Sequence, residues 1–337
     1  MTLVDYDISD DSYYLFACAE LKTREVEFLE KNRVDRMLQS KGLDDFIGIL
    51  RDTVYSKYIN YMRKSRSFEK VIVSEYSTTV NFLDQRLKPD HRDDEDVIGL
   101  DENLHNLKVI VKSIILDIDL RKLFVPILHS YDELRDAAAG DYKEVDPAVA
   151  EMLKFAVELI DKQKNYRLME LELEKFYLGK VVNFIESLNS RLLSDYLKHI
   201  IDILNIKNIY RNKHLAEDLS FDYFLHENGF LPKEFMAKFE GGSLDSFVKR
   251  IERTDYADIV TKGTYALHSE DIFSSFDKSE DLFCLDFFDP VKFTVSNLEK
   301  IFQFFLRKKV ELKYLNIIFT GVLYGIENSK IKNRVRV

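Results

Sequence analysis

The chain has 337 residues, enough for two or three hydrophobic cores, and its 46% hydrophobic and 32% charged content predicts a folded protein. A net charge of −10 and a pI near 5.4 oppose a nucleic-acid binder, which needs a basic stripe against phosphate. Only 11 glycines and 5 prolines leave few turn formers for a sheet-rich fold, so the composition favours long helices.

The N-terminal stretch through Ser12 carries Asp5, Asp7, Asp10 and Asp11 and lacks the basic-then-apolar order of a secretory leader. No apolar run along the chain reaches the roughly 18 residues of a membrane span. A soluble, intracellular protein is the expectation. Tyr14, Ala17, Cys18, Leu21, Phe28 and Leu29 recur at three- and four-residue spacing, which predicts a helix with one buried side. Cys18 and the distant Cys284 are too few for a disulfide framework, and their apolar surroundings read as those of buried, inert thiols.

From Asp84 to Glu102 the chain is acidic and reads as an exposed loop between helices. Asp93, Asp94, Glu95 and Asp96 invite a Mg²⁺ reading, because hard cations take several carboxylate oxygens. They sit beside Pro89 and off any periodic helix, so a solvated loop is the plainer account. Asp117 and Asp119 read as helix-end residues, and Gly140 and Gly241-Gly242 as turns. Asp146-Pro147 predicts an N-cap carboxylate before a first-turn proline, with a long helix running on to about Tyr177. Leu193, Tyr196, Leu197, Ile200, Ile201 and Leu204 predict another helix, with Asp195, Lys198 and Asp202 directed away from its buried side. Leu298, Ile301, Phe302 and Phe305 begin a third. The fold class that follows is all-α.

One short pattern recurs three times, about a hundred residues apart. It reads Asn106-Leu107-Lys108-Val109-Ile110, then Asn205-Ile206-Lys207-Asn208-Ile209, then Tyr314-Leu315-Asn316-Ile317-Ile318. The third copy has lost its lead Asn and its Lys. Each is expected late in a long helix, with Lys108, Lys207 and Asn316 facing out. A second recurrence pairs Leu43-Asp44-Asp45-Phe46 and Thr53-Val54-Tyr55 with Leu244-Asp245-Ser246-Phe247 and Thr254-Asp255-Tyr256, at a constant offset of 201 residues. Phe28-Leu29 pairs with Phe230-Leu231 after a one-residue shift, and Asn81-Phe82-Leu83-Asp84 resembles Asn183-Phe184-Ile185-Glu186. These pairings predict three tandem helical domains near 1–118, 119–217 and 218–337. The period is too long for a tetratricopeptide or ankyrin array.

Motifs that carry chemistry are missing. No two of the seven histidines have the spacing of a zinc-binding helix, and there is no CxxC, GxxxxGK[ST], GxGxxG or GxSxG. No catalytic, cofactor-binding or metal-ligating residue is therefore expected. Against the acidic whole, the C-terminus is basic, with Lys308, Lys309, Lys313, Lys330, Lys332, Arg334 and Arg336. That asymmetry fits an acidic partner or a lipid headgroup, or merely the solvated face of a helix.

Several quoted segments, in this order and spacing, carry a family resemblance. They are Tyr14-Leu15-Phe16-Ala17 with Arg24-Glu25, Leu43 through Tyr55, Tyr196-Leu197-Lys198 through Lys207 and Arg211, Gly241-Gly242-Ser243-Leu244, and Leu306-Arg307-Lys308-Lys309 through Ile318. The chain resembles the central-stalk subunit of V/A-type rotary ATPases, known as the C subunit in bacterial and archaeal enzymes and the d subunit in eukaryotic vacuolar ones. It departs from that family at Tyr314-Leu315-Asn316, where Asn-Leu-Arg is more usual, and before Gly321, where a basic residue is often found.

The resemblance implies a pseudo-threefold funnel of three similar helical domains with no catalysis and no cofactor of its own. It implies a cytoplasmic position on the membrane proteolipid ring, with the central shaft of the ATPase head as the second partner. Torque would pass between the two for H⁺ or Na⁺ transport. Lys207, Arg211, Lys308 and Lys309 are the candidate partner-interface residues. A free-standing helical scaffold is the alternative, and a metal-dependent enzyme built on Asp93 to Asp96 a third.

Overall fold

A computed structural model describes residues 6–89, 100–126, 129–163, 165–215, 219–266 and 272–335. Among the described residues there is no β-strand, and the all-α expectation holds. The first helices are α1 (Leu15–Arg24), α2 (Lys31–Leu38), α3 (Leu43–Ile49), α4 (Ile59–Ser65), α5 (Glu69–Asp84) and α6 (Leu100–Leu116). The middle of the chain forms α7 (Tyr131–Ala138), α8 (Pro147–Lys162), α9 (Tyr166–Ser187) and α10 (Arg191–Leu215), then the short α11 (Phe221–Phe224) and α12 (Lys233–Ala237). The last are α13 (Leu244–Ile251), α14 (Ala257–Ala266), α15 (Ile272–Phe287), α16 (Leu298–Leu323) and α17 (Asn328–Arg334).

By compactness the chain divides into two units. One combines Met1–Arg86 with Ser243–Val337, and the other is Leu87–Gly242. Compactness is a different property from sequence recurrence, since the first unit gathers both ends of the chain into one body.

The first unit is built on α16, which packs against α1, α2, α3, α5, α15 and α17. Its aromatic residues fix those contacts. Phe319 meets Phe46 of α3 with ring centroids 5.7 Å apart and Phe68 at 5.4 Å, while Phe305 meets Tyr76 of α5 at 5.5 Å. Such tilted and edge-on pairs add to the burial of their large apolar areas. Gly321 lets α17 lie close, because a Cβ there would stand 2.4 Å from Ile331 Cδ1. The paired segments of the second recurrence share one local structure. Phe46 and Phe247 are both buried, and Thr53 and Thr254 each accept from the amide two residues on, Tyr55 and Tyr256. Both hydroxyls also donate to the carbonyl three residues back, at Leu50 and Ile251.

In the second unit, α6, α8 and α9 pack on one another, and α10 and α11 pack on α9. Phe155 and Phe176 stack with centroids 4.1 Å apart.

Four expectations need correction. The stripe from Tyr14 to Leu21 is buried, but α1 stops at Arg24, a 3-10 turn follows over Glu25–Glu27, and Phe28 is extended. The long helix after Pro147 is two helices. Its backbone leaves the helix at Gln163, and Asn165 caps a new one by accepting from the amides of Arg167 and Leu168. Asp146 stands at the N-cap of α8 before Pro147 as expected, but its carboxylate makes no capping hydrogen bond and lies 3.3 Å from His129 Nε2 instead. Asp195 and Asp202, expected to point away, are both buried. The chain after α10 folds back over Asp202, whose carboxylate takes its amides, while Asp195 pairs with Arg191 and Lys198 of its own helix.

Candidate functional site

Each copy of the recurring pattern lies in a long helix, α6, α10 or α16. In α6 and α10 its lead residue, a buried asparagine, performs one task. Asn106 Nδ2 donates to the carbonyl of Val125 at 2.7 Å while its Oδ1 accepts from the Val125 amide at 3.0 Å. Asn205 does the same with His226, at 2.9 Å and 2.7 Å. A carboxamide suits this because it offers one donor and one acceptor side by side, matching a single residue's backbone.

Three residues ahead of the lead position stand Asp202 in α10 and Glu311 in α16, and these also correspond. Asp202 accepts from the amides of Phe230 and Leu231 at 3.1 Å. Glu311 Oε2 accepts from the amide of Leu29 at 2.7 Å. Phe28-Leu29 and Phe230-Leu231 are the pair that recurs in sequence, so the same contact is made twice. α10 grips the chain that follows it, and α16 grips the chain near its start.

Gly229 is required at the α10 grip, since a Cβ there would fall 2.1 Å from Asp202 Oδ1. Further along α10, Asn208 donates to Phe224, and Asn212 exchanges two hydrogen bonds with Leu219.

Two charged clusters stand beside these grips. In the first unit Lys308 Nζ lies 2.8 Å from the Tyr55 hydroxyl, 3.3 Å from Glu75 and 3.6 Å from Glu311, and Tyr55 also donates to Glu311. Lys57 reaches Glu75 at 2.7 Å. Burial works against the Glu75 charge, but the Lys57 hydrogen bond and Lys308 hold its carboxyl below the usual range. Burial and the charge of Glu311 push the Tyr55 hydroxyl far up, so it acts as a neutral donor. In the second unit Glu174 accepts from Lys108 at 2.8 Å and lies 3.0 Å from His226 Nε2. Burial opposes its charge, yet His226 and Lys108 bring its pKa down to about 2.

No group of three or more His, Cys, Asp or Glu able to hold a metal ion occurs among the described residues. Asp93 to Asp96 lie outside them. Nor is any described helix long and apolar enough to cross a membrane. The arrangement is one of fastening.

The sequence profile of the ATP synthase (C/AC39) subunit family matches residues 17–334. The chain belongs to this family. The C subunit of the V-type sodium ATPase of Enterococcus hirae is 23% identical, over 94% of this chain and 96% of that protein. The C subunit of the A-type ATP synthase of Methanocaldococcus jannaschii is 21% identical, over 97% and 87%. That of Methanosphaera stadtmanae is 23% identical, over 90% and 83%.

Within this C/AC39 family member the four candidate interface residues lie on two helices. Arg211 is exposed on α10, and Lys207 and Lys309 are half-buried on α10 and α16. Lys308 is 7% exposed and its charge is used inside the first unit, against Glu75 and Glu311. The structure does not bring Lys308 to an open face. Lys108, expected to face out, is ion-paired with Glu174. Sequence reasoning passed over Asp202, Glu311 and Glu174. The signal for the first two was their shared place three residues before the recurring pattern. Glu174 carried none, because its partners come from α6 and from the segment after α11.

Proposed function

We propose that the chain is the non-catalytic central-stalk subunit of a V/A-type ATPase, joining the shaft of the catalytic head to the membrane proteolipid ring. The family match over residues 17–334 carries this reading. The grips support it mechanically. A torque adaptor must not deform, and helices fastened to the chain packed on them by buried hydrogen bonds, two-way at Asn106 and Asn205, resist shear better than apolar packing alone. In this reading the three tandem repeats, near 1–118, 119–217 and 218–337, form a pseudo-threefold funnel on the cytoplasmic face of the ring. Arg211, Lys207 and Lys309 contribute to partner contacts, and Lys308 acts from within by positioning α16. The transported ion is H⁺ or Na⁺.

A tagged chain recovered from detergent-solubilised membranes tests the assignment. Shaft subunits and proteolipid are expected with it. Recovery of neither would favour the free-standing scaffold and sink the reading. Arg211→Glu with Lys309→Glu is expected to lower that recovery while leaving the thermal unfolding of the isolated protein unchanged.

A further inference from the structure

The basic residues that follow α16 take no part in the grips. They stand on a turn and a short helix of the first unit whose backbone is well fixed. The amide of Tyr324 donates to Thr320, that of Gly325 to Val322 and that of Ile326 to Gly321. Gly325 is left-handed, with φ of 64°, which glycine adopts without steric cost. Ile331 and Val335 are buried and hold α17 down.

A turn held this way shows its apolar groups to solvent. Tyr324 is 74% exposed and Ile326 44%. Gly321, which accepts the Ile326 amide, offers no side chain for that isoleucine to pack on. Cations surround the pair. Lys330, Lys332 and Arg334 are exposed on α17, and Lys278 Nζ of α15 reaches the Lys332 carbonyl at 3.3 Å. α2, which packs on α17, adds exposed Lys31 and Arg36. The exposed carboxylates here are Glu327, which accepts from the Ser329 hydroxyl, and Glu30 before α2. On the helices packed against α17, Asp281 is buried against Lys313, and Asp35, Asp277 and Glu280 are half-buried.

We propose that this corner of the first unit binds anionic lipid headgroups, a property of the isolated chain that does not depend on the central-stalk reading. Charge complementarity carries it. In a chain of net charge −10, residues 324–335 carry Lys330, Lys332 and Arg334 against Glu327 alone. An anionic surface repels the acidic remainder and attracts this corner, so the field itself sets the orientation. Tyr324 and Ile326 then enter the interfacial layer, where an aromatic ring bearing a hydroxyl is well accommodated. The long lysine stems let their ammonium groups stay among the headgroups. An acidic protein fits less well. Fixed carboxylates are best matched by the rigid fork of arginine. Lysines predominate here, and Lys330 and Lys332, two residues apart, stand on different flanks of α17. Such a set suits a fluid layer of mobile charges.

The test is flotation of the full chain with vesicles of phosphatidylcholine, alone or mixed with phosphatidylglycerol. The chain is expected to float with the anionic vesicles roughly tenfold more than with the neutral ones, and added salt should release it. Lys330→Glu with Lys332→Glu is expected to cut that binding roughly tenfold or more, with an unchanged circular-dichroism melt. Tyr324→Asp should also lower it. Reversal of the exposed Lys143 and Lys238 in the second unit makes the same change in net charge and should leave binding intact. No binding to anionic vesicles would overturn the proposal, as would equal binding by the wild type and the Lys330→Glu, Lys332→Glu variant. An equal loss in the second-unit control would overturn it too, by showing net charge alone at work. Retention on immobilised polyglutamate without vesicle binding would overturn the lipid occupant in favour of an acidic protein. Recovery of shaft and proteolipid tests the central-stalk reading separately.

Discussion

The long helices α10 and α16 hold down foreign chain by opposite means. α10 works on the segment that directly follows it, through Asn212, Asn208, Asn205 and Asp202 in turn, against partners 7 to 29 residues away. Most of those contacts are neutral amides, each satisfied within its own pair. α16 reaches residues 282 and 256 positions earlier, Leu29 and Tyr55, through Glu311, and that carboxylate depends on Lys308. Closing a loop of that length costs more chain entropy than closing a short one, though the cost grows slowly. The charged cluster is also interdependent: Lys308 is shared by Tyr55, Glu75 and Glu311, and its loss leaves Glu311 buried without a cation. Removing single members should therefore separate the two designs.

The largest effect is expected from Lys308→Met. Glu311 would then lose its cation and Glu75 would keep only the half-exposed Lys57, a loss of about 3–5 kcal/mol by analogy with other broken buried pairs. Urea unfolding should show it, and amide exchange should locate it. Leu29 should lose protection while His226, at the α10 grip, keeps its own. Adding Glu311→Gln should restore part of the stability. Equal loss of protection at both amides would erase the contrast.

Next is Glu174, the charged member of the second unit. Its folded pKa of about 2 lies below the ordinary 4.5. Its stabilisation is therefore complete above pH about 4.5 and is lost as the pH falls through 2, a loss of about 3 kcal/mol in all. Acid titration of unfolding should show this slope, and Glu174→Gln should flatten it. An unchanged slope in the variant would mean that other carboxylates govern acid unfolding.

The neutral grips should cost less. Asn205→Ala strands the amide and carbonyl of His226 in the interior, for about 2 kcal/mol, and Asn106→Ala about 1–2 kcal/mol because its contact with Val125 is less buried. Neither cost should vary between about pH 5 and 2, where the contribution of Glu174 is lost, and urea midpoints across that range would check it.

Much of this contrast was legible beforehand, but not its sign. The helical stripes from Leu193 and Leu298 mark α10 and α16 correctly, and the pattern lands past the middle of those two helices but at the middle of α6. What periodicity missed is the work of polar residues on a helix wrapped from more than one side. Asp202 breaks an apolar stripe and so reads as solvent-facing, yet it is fully buried because Phe230 and Leu231 bring unsatisfied amides to it. Lys308 misleads in the same way. A lysine in a basic run reads as surface charge, and only Tyr55, Glu75 and Glu311, from three places in the chain, give it an interior role. The break between α8 and α9 was missed because Leu, Glu and Lys on both sides are good helix formers, and Asn165 alone signals the new start.

The smallest effect concerns the ends of α6 and α16, where the left-handed position is an aspartate in one and a glycine in the other. Gly325 takes its left-handed φ without steric cost, whereas Asp117 holds nearly the same angle with a Cβ. Asp117→Gly should therefore stabilise the second unit by about 0.5–1 kcal/mol, the relief of left-handed strain exceeding the entropy glycine adds to the unfolded chain. Gly325→Asp should destabilise the first unit by a similar amount. Thermal melts of the two variants would show opposite shifts of comparable size. A loss of stability in Asp117→Gly would mean that the carboxylate, and not the backbone angle, is what the α6 end requires.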